Sequence, residues 1–239
     1  GDIKAIAPFI IREKKIANLF TSRALEFLGT GEDEKDEVCS NYLDIISKDT
    51  LEEVYKLIFG HISEGLKAGY WDEVNLKNIT TLSYTLEFFK NRVNKEFSEI
   101  FTDPTPCAII NFPGEWDTYL HLISKSWRDQ IRRGRKEIAD KGDIQCELVE
   151  DSKRIMPAFD EFIEIHQKRW QEIGEPGLFS SKKFTDFHKR IIKLFSDNQW
   201  VGLRFLKCNG KTVAASYRYS YNKTIYFYSP AYNLDFKTK

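Results

Sequence analysis

The spacing of hydrophobic and polar residues divides the first half of the chain into short strands and two helices. Residues 3–15 are rich in isoleucine, and Pro8 within them favours an edge strand or a bulge. Thr50 followed by Glu53 forms a capping box, which predicts the start of a helix whose apolar residues recur with a period near 3.6. The predicted elements are strands at 3–15, 24–28 and 40–47, a helix from Thr50 to Gly65 or Gly69, a strand at 71–79 and a helix at 81–94.

The second half shows longer periodic segments. Residues 97–112 are predicted to be extended, and Asn111 to Gly114 is the best candidate for a linker. Asn209-Gly210 is the strongest signal for a two-residue hairpin. The predicted elements are a long helix at 116–141, a strand at 144–149, a helix capped by Ser152 and broken at Gly174–Gly177, a helix capped by Ser180 or Ser181 with an apolar stripe of Phe184, Phe187, Ile191, Leu194 and Phe195, and strands at 200–208, 211–221 and 224–232.

From Gly142 onwards the order is strand, helix, helix and three antiparallel strands. This order predicts a mixed α/β (α+β) fold, in which largely antiparallel sheets are flanked by helices. We divide the chain into two domains, residues 1–112 and residues 113–239.

Composition excludes several classes of protein. Of the 239 residues, 41% are hydrophobic and 30% are charged, a balance typical of a globular protein with a core. The formal net charge is zero, so binding to nucleic acid would have to rest on a local basic patch. The four cysteines and four histidines are scattered, which predicts a reducing compartment and no metal site. Without an apolar run of about 18 residues or a signal peptide, we expect a cytoplasmic protein that does not span the membrane.

Several short motifs occur in an order that points to one family. Leu122 to Arg133 reads LISKSWRDQIRR, His166 to Trp170 reads HQKRW, and Tyr226 to Asn233 reads YFYSPAYN. These segments resemble the "S-K-x-x-R-x-x-x-R-R", "H-x-x-R-W" and "Y-x-Y-x-x-A-Y-D" motifs of the CelD/BcsL-like family of GNAT N-acyltransferases, which are bacterial proteins linked to exopolysaccharide production. Asn233 replaces the acid of the last motif. Shorter matches occur in the first half and just before Leu122, at Phe27-Leu28-Gly29, Tyr42-Leu43-Asp44, Trp116-Asp117 and Tyr119-Leu120.

The resemblance implies two GNAT-like units in tandem, as in the related FemABX aminoacyl transferases. Residues 1–112 would hold the later elements of the first unit, and residues 113–239 the earlier elements of the second. Both outer ends would then be missing. We expect the glycine-containing loop and helix that bind the cofactor diphosphate to follow Asp235-Phe236, beyond Lys239, so that this chain binds acetyl-CoA weakly. Gly29-Thr30-Gly31 is a less suitable phosphate loop, because an acidic run from Glu32 to Glu37 follows it.

The function implied by the resemblance is transfer of an acyl group from acetyl-CoA or another acyl-CoA to an amine. The acceptor partner would be a small molecule or a glycan, for example an amino sugar of an exopolysaccharide. Two alternatives stay open. One is a FemABX-like transferase that uses aminoacyl-tRNA, and the other is a GNAT-fold binding protein without catalysis, for which Asn233 is the only hint.

Candidate catalytic residues come from both halves of the chain. An amine must lose a proton before or during attack, so a general base is needed. His166 is one candidate, with a hydrogen-bonded core histidine as the alternative, and Asp44 is another, with a hydrogen bond to a helix N-terminus as the alternative. The leaving thiolate needs an acid, and Tyr228 or Tyr232 could supply it.

The remaining candidates bind the cofactor or the acceptor. The resemblance implies that a backbone N–H on the fourth strand of the unit binds the thioester oxygen, which makes Phe227, Tyr228 and Ser229 the cofactor-binding segment. An anionic group of either substrate could bind Arg169 beside Trp170, although a surface ion pair also explains Arg169. The basic helix that contains Arg128 and Arg132 is either a solvated face or a site for polyphosphate, nucleotide or tRNA. The predicted substrate-binding residues are therefore Arg169, Trp170, Tyr217, Arg128 and Arg132.

Overall fold

A computed structural model describes residues 2–16, 19–48, 52–92 and 104–236. Within these residues the chain forms six α-helices and three mostly antiparallel sheets, which confirms the predicted mixed α/β fold class. The chain divides into two compact units, Gly1–Ala108 and Ile109–Lys239. The sequence-based boundary lies at 112/113, and the interpretation of the two units as tandem GNAT-like pieces stays a prediction.

The first unit contains two small sheets and two helices. Strands β2 and β3 form an antiparallel hairpin, and β5 pairs in parallel with β3. Strands β1 and β4 form a separate antiparallel pair. The elements are β1 Ala5–Ile6, β2 Phe9–Ile16, β3 Phe20–Phe27, β4 Ile46–Ser47, α1 Glu52–Lys67, β5 Glu73–Asn75 and α2 Tyr84–Lys90.

Helix α1 carries the core of the first unit. Tyr55 and Phe59 pack with Phe88 of α2 in one buried cluster, and Ile62 packs with Trp71 in a second. The indole of Trp71 lies so close to α1 that a Cβ at Gly65 would be 2.0 Å from it, so this position requires glycine. Trp71 also donates a hydrogen bond of 3.2 Å from Nε1 to the carbonyl of Ile62, which satisfies its buried polar atom.

Three predictions for the first unit need correction. The strand expected at 40–47 is reduced to β4, and the one expected at 71–79 is reduced to β5, because only these residues find a partner strand. Helix α2 begins at Tyr84, where the Ser83 side chain accepts a hydrogen bond from the Thr85 N–H. Leu82, which lies inside the predicted range of this helix, is therefore outside it and 93% exposed. The predicted cap Thr50 lies outside the described residues.

The second unit is built on a four-stranded antiparallel sheet with the order β6-β7-β8-β9. The strands, and the hairpins that join the last three, agree with the sequence-based prediction to within one residue. The elements are α3 Trp116–Leu122, α4 Lys125–Ala139, β6 Ile144–Val149, α5 Ile155–Glu172, α6 Lys182–Phe195, β7 Val201–Cys208, β8 Lys211–Tyr221 and β9 Thr224–Tyr232.

The β7–β8 turn is fixed by Asn209 and Gly210. Both have positive φ angles, 51° and 75°, as a two-residue turn of the primed type requires. The Asn209 side chain also accepts a hydrogen bond from the Asp143 N–H at 2.9 Å and donates one to the Lys141 carbonyl at 3.2 Å. A Cβ at Gly142 would be 2.1 Å from that side chain. The turn therefore also positions the start of β6.

The core of the second unit lies between the sheet and helices α5 and α6. Helix α5 contacts β7, β8 and β9, and it also contacts α6. The core consists largely of aromatic rings, with edge-on and tilted contacts among Phe159, Phe162, Phe179 and Tyr217. This packing excludes water from polar side chains of the sheet that point into the core, such as the fully buried Tyr217.

Two helix boundaries in the second unit also differ from the prediction. The long helix expected at 116–141 is two helices, because the chain leaves helical geometry at Ile123 and the Ser124 hydroxyl caps α4 by accepting a hydrogen bond from the Trp127 N–H at 3.4 Å. Neither of the two helices contains a fully buried residue, and Trp127 is 60% exposed. Ser152 does not cap α5, whose N-cap is Arg154, whereas Ser181 caps α6 as predicted.

Candidate active site

The last strand of the sheet contains an irregularity in the predicted cofactor-binding segment. Tyr217 of β8 is paired with Ser229 of β9, and Arg218 is paired with Phe227, so Tyr228 is the additional residue of a β-bulge. Bulges bend a strand and redirect a side chain, and they are frequent beside active sites. Phe227 is 65% exposed and Ser229 is buried. The bulge therefore lies where a buried strand segment becomes accessible.

The hydroxyl of Tyr228 reaches a histidine of helix α6. Its oxygen is 3.0 Å from Nε2 of His188, and the two ring centroids are 4.9 Å apart. His188 is fully buried, whereas Tyr228 is half-buried. The contact thus connects the accessible bulge with the interior of the unit.

Two further tyrosines lie on the opposite side of the His188 ring. Nδ1 is 3.3 Å from the Tyr217 hydroxyl and 3.4 Å from the Tyr219 hydroxyl, and these two hydroxyls are 2.8 Å apart. Burial lowers the pKa of His188 to about 4 and raises the pKa of Tyr219 to about 12. Burial also raises the pKa of Tyr217. At neutral pH the imidazole of His188 and the phenols of Tyr217 and Tyr219 are therefore uncharged. We call His188, Tyr217, Tyr219 and Tyr228 the His–Tyr network.

His188 was not among the residues singled out in the sequence. The predicted stripe of α6 included Phe187 and Leu194, but Leu194 is 67% exposed, and the buried residues of this helix are Phe184, His188 and Ile192. Their spacing of four residues is a helical signal that includes the histidine. The prediction missed this face because it counted hydrophobic residues only. It therefore chose Phe187 and Ile191 in place of the neighbouring His188 and Ile192.

His166, a predicted base, is also buried and is held at both ring nitrogens. The Trp170 Nε1–H donates to Nε2 at 3.1 Å, and Nδ1 is 3.3 Å from the carboxamide oxygen of Gln167. Burial lowers the pKa of His166, and the nearby charge of Arg169 adds to this effect. To accept a proton from an amine, Nε2 would first have to lose its bond to Trp170. The catalytic role of His166 stays a prediction.

Arg169 lies on two aromatic rings at the end of β9. Its Cζ is 4.0 Å from the ring centroid of Tyr232 and 5.0 Å from that of Trp170. None of the hydrogen bonds or ion pairs between described residues uses its guanidinium group, unlike the neighbouring Lys168, which pairs with Asp235 at 3.1 Å. The stacked guanidinium is therefore oriented and charged, with donors available for an anion. The predicted roles of Arg169, Trp170 and Tyr232 stay predictions.

Asp44, the other predicted base, lies in the first unit. Its Oδ1 accepts hydrogen bonds from the Ile45 N–H at 2.8 Å and from the Thr85 hydroxyl in the first turn of α2. This contact joins the loop before β4 to the helix, which is the structural alternative considered for Asp44. Its role as a base stays a prediction.

The two arginines of the basic helix differ in their surroundings. Arg128 is half-buried, and its Nη1 donates to the carbonyls of Leu120 and Ile123 at 3.1 and 2.6 Å, at the C-terminal end of α3. Arg132 is exposed and pairs with Asp129 at 3.6 Å. The first contact stabilises the break between α3 and α4, and the second leaves Arg132 accessible to an anion.

The described residues contain no group of three or more histidine, cysteine, aspartate or glutamate side chains placed to hold a metal ion. In the same part of the chain, none of the helices has the length and apolar character needed to cross a bilayer.

Comparison with known proteins gives one family. Residues 125–238 match the family model described as "Acetyltransferase (GNAT) domain". This match supports a GNAT acetyltransferase domain in the second unit and, in general, an acyltransferase that uses acyl-CoA and an amine-bearing acceptor. No curated protein matches the sequence.

Proposed function

We propose that this protein is an enzyme that transfers an acyl group from acyl-CoA to an amine at the bulge of β9. The observation that carries the proposal is the bulge at Tyr228, which lies on the edge strand of the described sheet and inside the matched domain. Edge strands present backbone groups along their outer side, and an extended ligand can add to them as another strand does.

The pantetheine arm of coenzyme A is suited to such an edge, because its two amide groups can pair with a strand. In our proposal Phe227, Tyr228 and Ser229 form the segment along which the arm lies. A backbone N–H at the bulge would stabilise the oxyanion that forms on the thioester oxygen.

The reaction needs two proton transfers. The amine nitrogen attacks the thioester carbon, the carbon–sulfur bond breaks, and the amine proton passes to a base. The thiolate receives a proton from an acid, for which Tyr228 is our first choice, because this half-buried residue is the additional residue of the bulge. His166 and Asp44 stay the candidate bases, and Tyr232 stays the alternative acid.

Arg169 gives the proposal a substrate preference. Its guanidinium is oriented by Tyr232, which is the last residue of β9 and four positions beyond Tyr228. Four strand residues span about 13 Å, so an anion bound at Arg169 would belong to the same ligand or to its reaction partner. We propose that Arg169 binds a phosphate or carboxylate of the donor or the acceptor.

The finer assignment rests on the motifs. We propose a CelD/BcsL-like enzyme whose acceptor is an amino sugar of an exopolysaccharide or envelope polymer. The exposed cations of α4, such as Arg132, keep a FemABX-like use of aminoacyl-tRNA as the second candidate. Asn233 replaces the acid of the family motif, and this replacement would be expected if the protein were a non-catalytic binding protein.

A transfer assay on the full-length protein tests the proposal. Acetyl-CoA is supplied with a panel of amino sugars, and release of the CoA thiol is measured with formation of the acylated amine. We expect turnover, and we expect Tyr228→Phe to lower kcat by about a hundredfold, the lower end for loss of an acid. The matched control is Tyr221→Phe on β8, an exposed tyrosine outside the network.

The alternatives predict different results in the same assay. Transfer from aminoacyl-tRNA but not from acetyl-CoA would support the FemABX-like function. Binding of CoA or of a glycan with no transfer to any amine would support a binding protein and contradict the enzymatic proposal.

A further inference from the structure

Large apolar side chains are exposed where helix α3 meets helix α4. Leu122, the last residue of α3, is 68% exposed, and Trp127 in the first turn of α4 is exposed to a similar extent. Single exposed apolar residues are ordinary, but a group of them marks an interaction surface. We call the surface formed by four such residues the α3–α4 corner: Phe112, Trp116, Leu122 and Trp127.

Contacts within the second unit hold this corner together. Phe112 and Trp116 both contact the ring of Tyr119, with centroids 5.7 and 5.5 Å away. The side chain of Arg128 joins the two helices by donating to carbonyls at the end of α3. The apolar side chains are therefore presented together from a hydrogen-bonded joint.

Helix α4 also concentrates positive charge in a chain that is neutral overall. It carries six cationic and two acidic side chains, a formal net charge of +4, whereas the formal net charge of the whole chain is zero. Lys125, Arg132 and Arg135 share a face beside the apolar stripe that begins at Trp127, because their spacing is close to whole helical turns. Arg132 has an exposed partner in Asp129, and no ion pair between described residues uses Lys125 or Arg135. Apolar surface and uncompensated charge therefore lie side by side.

This combination selects among the possible partners. A nucleic acid would bind the cations and could stack on Trp127, but it offers no apolar surface to an aliphatic side chain such as Leu122. An ordinary protein surface could cover Leu122 but would leave the charge of α4 unmatched. A bilayer with anionic lipid offers negative headgroups and hydrocarbon next to each other, and tryptophan favours the boundary between them.

We propose that the α3–α4 corner binds the surface of a membrane that contains anionic lipid. Leu122 and Trp127 enter the boundary between headgroups and acyl chains, and the cations of α4 contact the lipid phosphates. Lysine and arginine can do so from the side of the helix, because their long aliphatic stems lie along apolar surface while the charge stays in the polar layer. The inference is independent of the proposed function, since neither the bulge nor the His–Tyr network takes part.

Sedimentation of the full-length protein with lipid vesicles tests the electrostatic part. Vesicles of phosphatidylcholine with about one third phosphatidylglycerol are compared with vesicles of phosphatidylcholine alone. We expect salt-sensitive binding to the anionic vesicles and little binding to the neutral ones. Lys125→Gln combined with Arg135→Gln should weaken binding about thirtyfold, because each cation near an anionic surface contributes a factor of about five. The matched control is Arg190→Gln combined with Lys193→Gln, which removes two exposed cations from α6 and should bind as the wild type does.

The apolar part is tested with a second matched pair. Leu122→Gln should weaken binding to the anionic vesicles about tenfold, because the leucine no longer leaves water on binding. Its control is Leu194→Gln, which changes a leucine of 67% exposure near the end of α6 and should have no effect. The melting temperature of each variant is measured as well, and we expect it to stay nearly constant because the replaced side chains are exposed.

Several outcomes would overturn the proposal. One is the absence of binding to the anionic vesicles, and another is binding to tRNA alone, which would identify a nucleic acid as the partner. A loss in the charge variant with none in Leu122→Gln would show adsorption by charge only, without contact of the corner. Equal losses in the α4 and α6 variants would show that the corner is not the binding surface.

Discussion

At the scale of single residues, burial decides the charge of His188. Its pKa is about 4 in the folded protein and near the ordinary value of 6.5 in the unfolded chain, and the titratable groups that face the ring are Tyr217, Tyr219 and Tyr228. Above pH 6.5 the ring is neutral in both states, so the stability is fully present. As the pH falls toward 4, His188 becomes protonated in the unfolded chain but stays neutral in the folded protein. The unfolded state is therefore favoured, and the free energy of unfolding decreases.

We therefore expect the free energy of unfolding to fall by about 3 kcal/mol between pH 6.5 and 4 on account of His188 alone, at roughly 1.4 kcal/mol per pH unit. Urea denaturation at several pH values measures this loss. His188→Gln should be less stable at pH 7 but should have a flatter dependence on pH, while the exposed Lys193→Gln should follow the wild type. Parallel slopes for wild type and His188→Gln would contradict the assignment.

Arg169 gives a second prediction at this scale. A guanidinium that is stacked on Tyr232 presents a planar pair of donors, which an ammonium group cannot reproduce. If it binds an anionic group, Arg169→Lys should weaken binding of that ligand about tenfold or more, the equivalent of one charge-assisted hydrogen bond. Calorimetry with acyl-CoA and with anionic amino sugars identifies which ligand is affected. Unchanged binding of both would leave Arg169 as a packing residue.

At the scale of elements, the basic helix α4 separates structural from accessible charges. Arg128 donates to two carbonyls at the end of α3, whereas Arg132 has only an exposed partner three residues away. We expect Arg128→Gln to lower the free energy of unfolding by about 1.5–3 kcal/mol. Arg132→Gln should change it by at most about 1 kcal/mol.

The ligand-binding part of this prediction uses the same pair of variants. If α4 binds polyphosphate or tRNA, Arg132→Gln should weaken the binding and reduce its salt dependence while the melting temperature stays nearly constant. Equal binding by wild type and Arg132→Gln at low salt would exclude a role of this arginine.

Elements that are fixed by local chemistry could be predicted from the sequence, and those that depend on pairing could not. The Asn209-Gly210 turn and the strands on either side follow from residues that are neighbours in the chain. The bulge at Tyr228 depends on how β9 aligns with β8, and no single residue in the sequence predicts it. In the same way, the break at Ile123 depends on Arg128 and Ser124 satisfying backbone groups, which a count of apolar positions ignores.

The candidate site follows the same distinction. Tyr217 and Tyr228 were selected from the sequence, and the fold brings them together. The pairing of β8 with β9 places them side by side, and both contact His188 of helix α6. This contact with a helix that is distant in the chain could not be predicted from the sequence alone. Arg169, Trp170 and Tyr232 also meet at one place, whereas Arg128 is occupied by the end of α3.

At the scale of the whole molecule, each of the two units contains one of the two predicted general bases. Asp44 belongs to the first unit and His166 to the second, and both occur in motifs that resemble one family. A base must reach the amine directly or through one water, and its loss costs about 10²–10⁴-fold in rate. A histidine that serves only the core would instead cost stability and leave the rate per folded molecule nearly unchanged.

We therefore predict that one of two variants, His166→Gln or Asp44→Asn, lowers turnover by at least about a hundredfold in the full-length protein while its melting temperature stays constant. Turnover and melting must be measured on the same samples, because Nε2 of His166 and Oδ1 of Asp44 both accept hydrogen bonds that stabilise the fold. A matched control for the first variant is His121→Gln, the same substitution at an exposed histidine of α3. This control should leave both turnover and melting temperature unchanged. If both variants melt early and the remaining folded fraction turns over normally, both residues are structural, and the proton leaves the amine through water or through another residue.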